Sequence, residues 1–71
     1  MTSKERILGG IWSRVGVSTF LSLEGLGDVS DIDPMEVVTT LWPHVTVPGT
    51  FGKPVVRTSG DVVFTTWKVE V

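Results

Sequence analysis

Hydrophobic and polar positions alternate most regularly at the end of the chain, in KPVVRTSGDVVFTTWKVEV over residues 53–71. Two runs rich in valine and threonine flank Ser59-Gly60, and glycine accepts the positive φ that a two-residue hairpin turn requires. The pattern therefore predicts a β-hairpin in which Thr58 opposes Asp61, Arg57 opposes Val62, Val56 opposes Val63 and Val55 opposes Phe64. Val56, Val63, Trp67, Val69 and Val71 then share one face, while Arg57, Val62, Phe64, Lys68 and Glu70 share the other. The first face is the more apolar and is expected to meet the core.

Nearer the N-terminus the spacing reads as helical. Thr2-Ser3-Lys4-Glu5 has the form of a capping box. Ile7, Leu8, Ile11, Trp12 and Val15 follow at three-to-four spacing, predicting an amphipathic helix of about three turns. Gly9-Gly10 weakens it, since each glycine costs about 0.8–1 kcal/mol relative to alanine inside a helix. Close backbone packing against a sheet would compensate. Across 15–23, Val15, Val17, Thr19, Leu21 and Leu23 alternate with Gly16, Ser18, Phe20 and Ser22, which favours a strand over a short helix capped by Ser18.

Residues 25–33 are rich in Gly, Ser and Asp and read as a loop anchored by Val29 and Ile32. Asp33-Pro34 marks a helix start, with an N-cap acceptor followed by a proline at the first helical position. Met35, Val38, Leu41 and Trp42 continue at helical spacing until Pro43. His44 to Val47 alternates like a short strand, and 48–52 is a loop. The fold expected is a small single-domain α+β protein spanning residues 1–71. An N-terminal helix and a second short helix pack on a three- to four-stranded antiparallel sheet that ends in the C-terminal β-hairpin. Its strands lie near 44–47, 54–58 and 62–71, with 15–23 as the fourth.

Composition sharpens this picture. A chain of 71 residues without cysteine has no disulfide or thiolate metal site to staple it, and a domain of this size buries only about 60% of its unfolded surface. Apolar residues make up 41% of the sequence and the mean hydropathy is +0.27, which leaves more apolar surface than so small a body hides. A partner surface is expected. The net charge of −2 argues against general nucleic-acid binding, which is built from clustered Lys and Arg. The Ile7–Leu23 stretch is interrupted by Gly9, Gly10, Ser13, Arg14 and Gly16, so neither a secretory leader nor a membrane span is read there. A soluble cytoplasmic protein is the expectation.

Candidate chemistry is sparse. His44 has no cysteine partner and no motif that places a nucleophile beside it, and no serine lies in a Gly-x-Ser-x-Gly setting. The Gly-rich pieces 25–27 and 49–52 lack the spacing of a phosphate loop. No enzyme, no cofactor and no small-molecule substrate is expected. Glu24, Asp28, Asp31, Asp33 and Glu36 form the one charge cluster, without the spacing of a calcium loop. As a negative patch it could dock on a basic protein surface.

The sequence thus points to a non-catalytic protein-binding module, an inhibitor, adaptor or assembly subunit. Its expected contact residues are Asp28, Asp31 and Glu36 in the acidic loop, Phe51 in a glycine-flanked loop, and Lys53 and Arg57 in the hairpin. Another protein, or the same chain as a homo-oligomer, is the expected partner, and no metal or membrane is. Two alternatives carry different signatures. A winged-helix-like DNA-binding regulator would use 33–42 as recognition helix and Ser59-Gly60 as wing, but 33–42 offers no basic residue to base edges. A self-assembling structural subunit, such as a virion protein, would add the hairpin edge or the 15–23 strand to a neighbouring sheet.

Overall fold

A computed structural model describes residues 6–71; the capping box at Thr2–Glu5 lies outside the described residues. The elements in chain order are β1 (Ile7–Val15), β2 (Ser18–Gly25), α1 (Pro34–Leu41), β3 (Thr50–Phe51), β4 (Val55–Ser59) and β5 (Val62–Glu70). All five strands belong to one antiparallel sheet. β5 pairs with β2 on one side; on the other, β4 pairs with its first half and β3 with its end. β1 lies outside β2 as an edge strand.

This arrangement overturns the expected pair of helices on a meander. Residues 7–15 form a strand, and α1 is the one α-helix among the described residues. The reason lies in a bulge. The β1–β2 register runs from Val15↔Ser18 to Gly9↔Glu24 and then slips, so that Ile7 faces Gly25. Gly10, Trp12 and Arg14 therefore share the covered face, Gly9, Ile11, Ser13 and Val15 the open face, and the extra residue Leu8 lets Ile7 return to the covered side. Apolar residues at 7, 8, 11, 12 and 15 consequently mimic a helical stripe. The strand also uses Gly10, where a Cβ would lie 2.9 Å from Leu23 Cδ2 and 2.9 Å from Trp42 Cη2. There the Trp42 ring rests on the sheet backbone.

Two glycines set the hairpins. Gly16 and Gly60 have φ of +62° and +61°, and no other residue has positive φ among those described. Each opens a two-residue loop, Gly16-Val17 and Gly60-Asp61, with positive φ at the first position only, the II′ pattern suited to twisted hairpins. The expected strand over 15–23 is thus split by a turn, and β2 begins at Ser18. In the C-terminal hairpin Ser59 opposes Val62 and Arg57 opposes Phe64, one step from the expected turn. Each partner moves by two positions, so every side chain stays on its expected face.

The core lies between the covered face and α1. Leu21 pairs with Trp67 and Leu23 with Thr65 across β2 and β5, and these four are fully or almost fully buried together with Val29, Val37, Val38 and Val69. α1 starts where Asp33 accepts a hydrogen bond from the Met35 amide at 3.0 Å, with Pro34 in its first turn. Its β-branched threonines are accommodated by back-bonding, Thr39 to the Met35 carbonyl and Thr40 to the Glu36 carbonyl, both at 2.9 Å. The expected strand at 44–47 is absent. That segment is a loop in which Val45 and Val47 pack against the core, and the Val45 amide donates to the Trp42 carbonyl at 3.0 Å.

Candidate functional site

The acidic residues after β2 are largely committed to holding their own loop. The Asp28 carboxylate accepts from the Ser30 amide at 2.8 Å, an Asx turn that reverses the chain. That bond, the Ser30 hydroxyl and the nearby Arg6 guanidinium hold the Asp28 carboxyl below the ordinary value of 3.8. Arg6 clamps the loop from the start of β1, donating to the Asp28 carbonyl at 2.9 Å and to the Asp31 carboxylate at 3.3 and 3.4 Å. Asp33 caps α1 and Glu36 lies in its first turn, where negative charge favours the helix dipole. Charge spacing alone did not show that Arg6 reaches across 25 positions to Asp31. Among the described residues no group of three or more His, Asp or Glu could hold a metal ion.

The other expected contact residues lie elsewhere. Phe51 sits in β3 and turns back onto the core; its ring centroid is 6.2 Å from that of Trp12, which lies 6.0 Å from Trp42. Lys53 is exposed in the link between β3 and β4. Arg57 is exposed on the open face of β4, opposite Phe64. The acidic loop leaves the sheet at the Gly25↔Val63 end, whereas β3 and Lys53 follow the far end of β5 at Val69 and Glu70. The six candidates do not converge on one site.

Two other features do form continuous surfaces. On the open face, Phe20, Ser22 and Thr66 floor a groove of about 320 Å³ whose walls are Ser13 and Val15 from β1 and Val55 and Arg57 from β4. The Ser22 and Thr66 hydroxyls hydrogen-bond across its floor at 3.0 Å. Second, β1 presents an outer edge with which no strand pairs among the described residues. Leu8, Ile11 and Val15 along it are 55%, 58% and 70% exposed, and a cavity of about 130 Å³ runs beside it between Leu8, Gly9, Thr40 and Leu41.

The hydrogen-bonding character of that edge follows from the turn. A two-residue loop closes on a pair joined by the hydrogen bond between the first and fourth residues of the turn, here Val15 and Ser18. Alternation along an antiparallel ladder then directs the backbone groups of Val15, Ser13 and Ile11 towards β2 and those of Arg14, Trp12 and Gly10 outwards. The opposite side of the sheet is different. There the two-residue β3 and five-residue β4 are separated by Gly52, Lys53 and Pro54, a broken edge of the kind that discourages strand addition. Sequence reasoning missed the β1 edge because residues 7–15 were read as a helix; the period-two pattern of Gly9, Ile11, Ser13 and Val15 carried the signal.

No family model, no curated protein and no solved structure matches the chain. No described helix is long and apolar enough to cross a membrane.

Proposed function

We propose that this chain is a non-catalytic protein-binding module that takes up an extended segment of its partner along the outer edge of β1. The observation that carries the reading is the contrast between the two sheet edges, one broken by Pro54 and the other a single strand of nine residues whose ladder is regular from Gly9 to Val15. Native sheets usually blunt such an edge with Lys, Pro or a covering element. β1 has neither residue type, a single charge at Arg14 and a bulge only at its start. Strand addition supplies affinity through main-chain hydrogen bonds and selectivity through pockets for alternate side chains, and the cavity beside Leu8 is such a pocket. The acidic loop, braced by Arg6, supplies charge at a distance from that contact rather than its centre.

The alternatives have less support. A winged helix needs a second helix to brace its recognition helix; α1 stands alone among the described residues and carries no basic residue. The strand that would have added to a neighbouring sheet, 15–23, lies mostly in β2, which is paired on both sides by β1 and β5, so edge pairing falls to β1 instead.

The test compares the tagged wild type, Ile11→Lys and the double variant Asp28→Asn/Asp31→Asn in capture from nuclease-treated lysate. Ile11 is exposed on the open face, so its charge substitution leaves the core intact. The reading predicts that Ile11→Lys loses the captured protein while the acidic-loop variant retains most of it. Capture that resists Ile11→Lys and disappears with nuclease would contradict it.

A further inference from the structure

We infer that the occupant of the β1 edge is a second copy of this chain, paired antiparallel about a two-fold axis at Ile11 so that two five-stranded sheets become one. The inference rests on the edge-binding function proposed above and names its partner.

The strand is complementary to itself in this register. Ile11 faces Ile11 of the second copy as a non-hydrogen-bonded pair, because its own backbone groups are directed towards β2. On either side Gly10 and Trp12 offer outward N–H and C=O groups, and the two-fold brings Gly10 of one copy opposite Trp12 of the other as a hydrogen-bonded pair. A large side chain thus meets a glycine at each of these positions, so the two Trp12 residues do not collide. A two-fold placed at Trp12 would instead set the two indoles directly opposite each other.

Charge agrees with the same register. Arg14 is the only charged residue of β1. In a pair centred on Ile11 the two Arg14 residues stand six positions apart, roughly 20 Å at strand rise, so they do not repel appreciably. Each falls opposite Leu8 of the other copy, at the mouth of the apolar cavity formed with Thr40 and Leu41. Leu41 ends α1, whose last turn carries no basic residue. The negative end of the α1 dipole therefore lies where the second copy delivers a guanidinium, whose alkyl stem covers the apolar wall. An isologous contact of this kind closes on itself and stops at two copies; the broken β3–β4 edge does not propagate it.

Sedimentation velocity and native mass spectrometry over a dilution series are expected to show a species of twice 7.7 kDa that dissociates on dilution. Ile11→Lys, which sets two ammonium groups together at the axis, is expected to be monomeric throughout. The register is tested separately by two single-cysteine variants in this cysteine-free chain. Ile11→Cys brings two Cα atoms to about 4.5 Å, inside the disulfide range, and is expected to cross-link rapidly under mild oxidation. Ser13→Cys, equally open to solvent on the same face, leaves its two thiols about 14 Å apart along the strands and is expected to stay uncross-linked. A dimer that survives Ile11→Lys, or cross-links faster at 13 than at 11, overturns the interface. Monomeric wild type at every concentration overturns the second-copy assignment; if Ile11→Lys nonetheless abolishes capture of another protein, edge binding itself stands, and if it does not, both fall.

Discussion

A side chain at Gly10 has nowhere to go. Its Cβ would press on Leu23 Cδ2 and Trp42 Cη2, each at 2.9 Å, whereas a Cβ at the adjacent Gly9 meets nothing within 4 Å. Gly10→Ala should therefore destabilise the fold by about 1–3 kcal/mol through overpacking. Gly9→Ala should be neutral or stabilise it by about 0.4–1 kcal/mol, by reducing the freedom of the unfolded chain. Urea midpoints of the two variants against wild type check the contrast, and equal effects would mean that Trp42 does not rest on β1. Thr65 makes the opposite case. It is fully buried between core neighbours, and its hydroxyl has no hydrogen-bond partner among the described residues. Thr65→Val keeps the β-branched shape and removes the unsatisfied group, so we expect a gain of about 1–3 kcal/mol, again read from urea unfolding.

Hairpin turns carry the architecture at the scale of elements. Gly16 and Gly60 each take a left-handed φ at the first position of a two-residue loop, a conformation that costs other residues roughly 1–2 kcal/mol. Gly16→Ala and Gly60→Ala should each lower the melting temperature by about 4–8 °C per kcal/mol lost in a domain of this size. Replacement of the exposed Val17 by Asn should leave it nearly unchanged. These same turns mark what the sequence made legible. Alternation in 62–71 identified β5 and its core face, because a turn misplaced by one step moves partners by two and preserves facing. Asp33-Pro34 located α1, since capping is a local signal. The N-terminal strand was hidden because the bulge at Leu8 shifts the apolar period near the start of the strand, and Gly16-Val17 passed for part of an alternating run because valine is a rare turn residue. The short β3 was illegible: two residues, Thr50 and Phe51, pair with Glu70 and Val69 through long-range contact, with no local pattern of their own. The acidic loop was visible as a cluster, but its tie to Arg6 was not, since that partner comes from 25 positions away.

For the whole molecule, the asymmetry of the sheet governs the functional account. β5 is paired along both sides, β2 likewise, and the two outer boundaries differ: Pro54 and a two-residue β3 interrupt one, while β1, regular after its bulge at Leu8, runs along the other as one strand. A chain of 71 residues without cysteine gains from covering that second boundary, because association buries surface that its own small core cannot. Leu8, Ile11 and Val15 are then contact residues rather than surplus hydrophobic surface. Residue-resolved amide hydrogen exchange, followed as a function of protein concentration, tests this most directly. The account predicts slow exchange at Ile11, Ser13 and Val15 at every concentration, and exchange at Gly10, Trp12 and Arg14 that is fast when dilute and slows as the chain concentrates. Uniform protection across residues 7–15, or an alternation that does not respond to concentration, would contradict it.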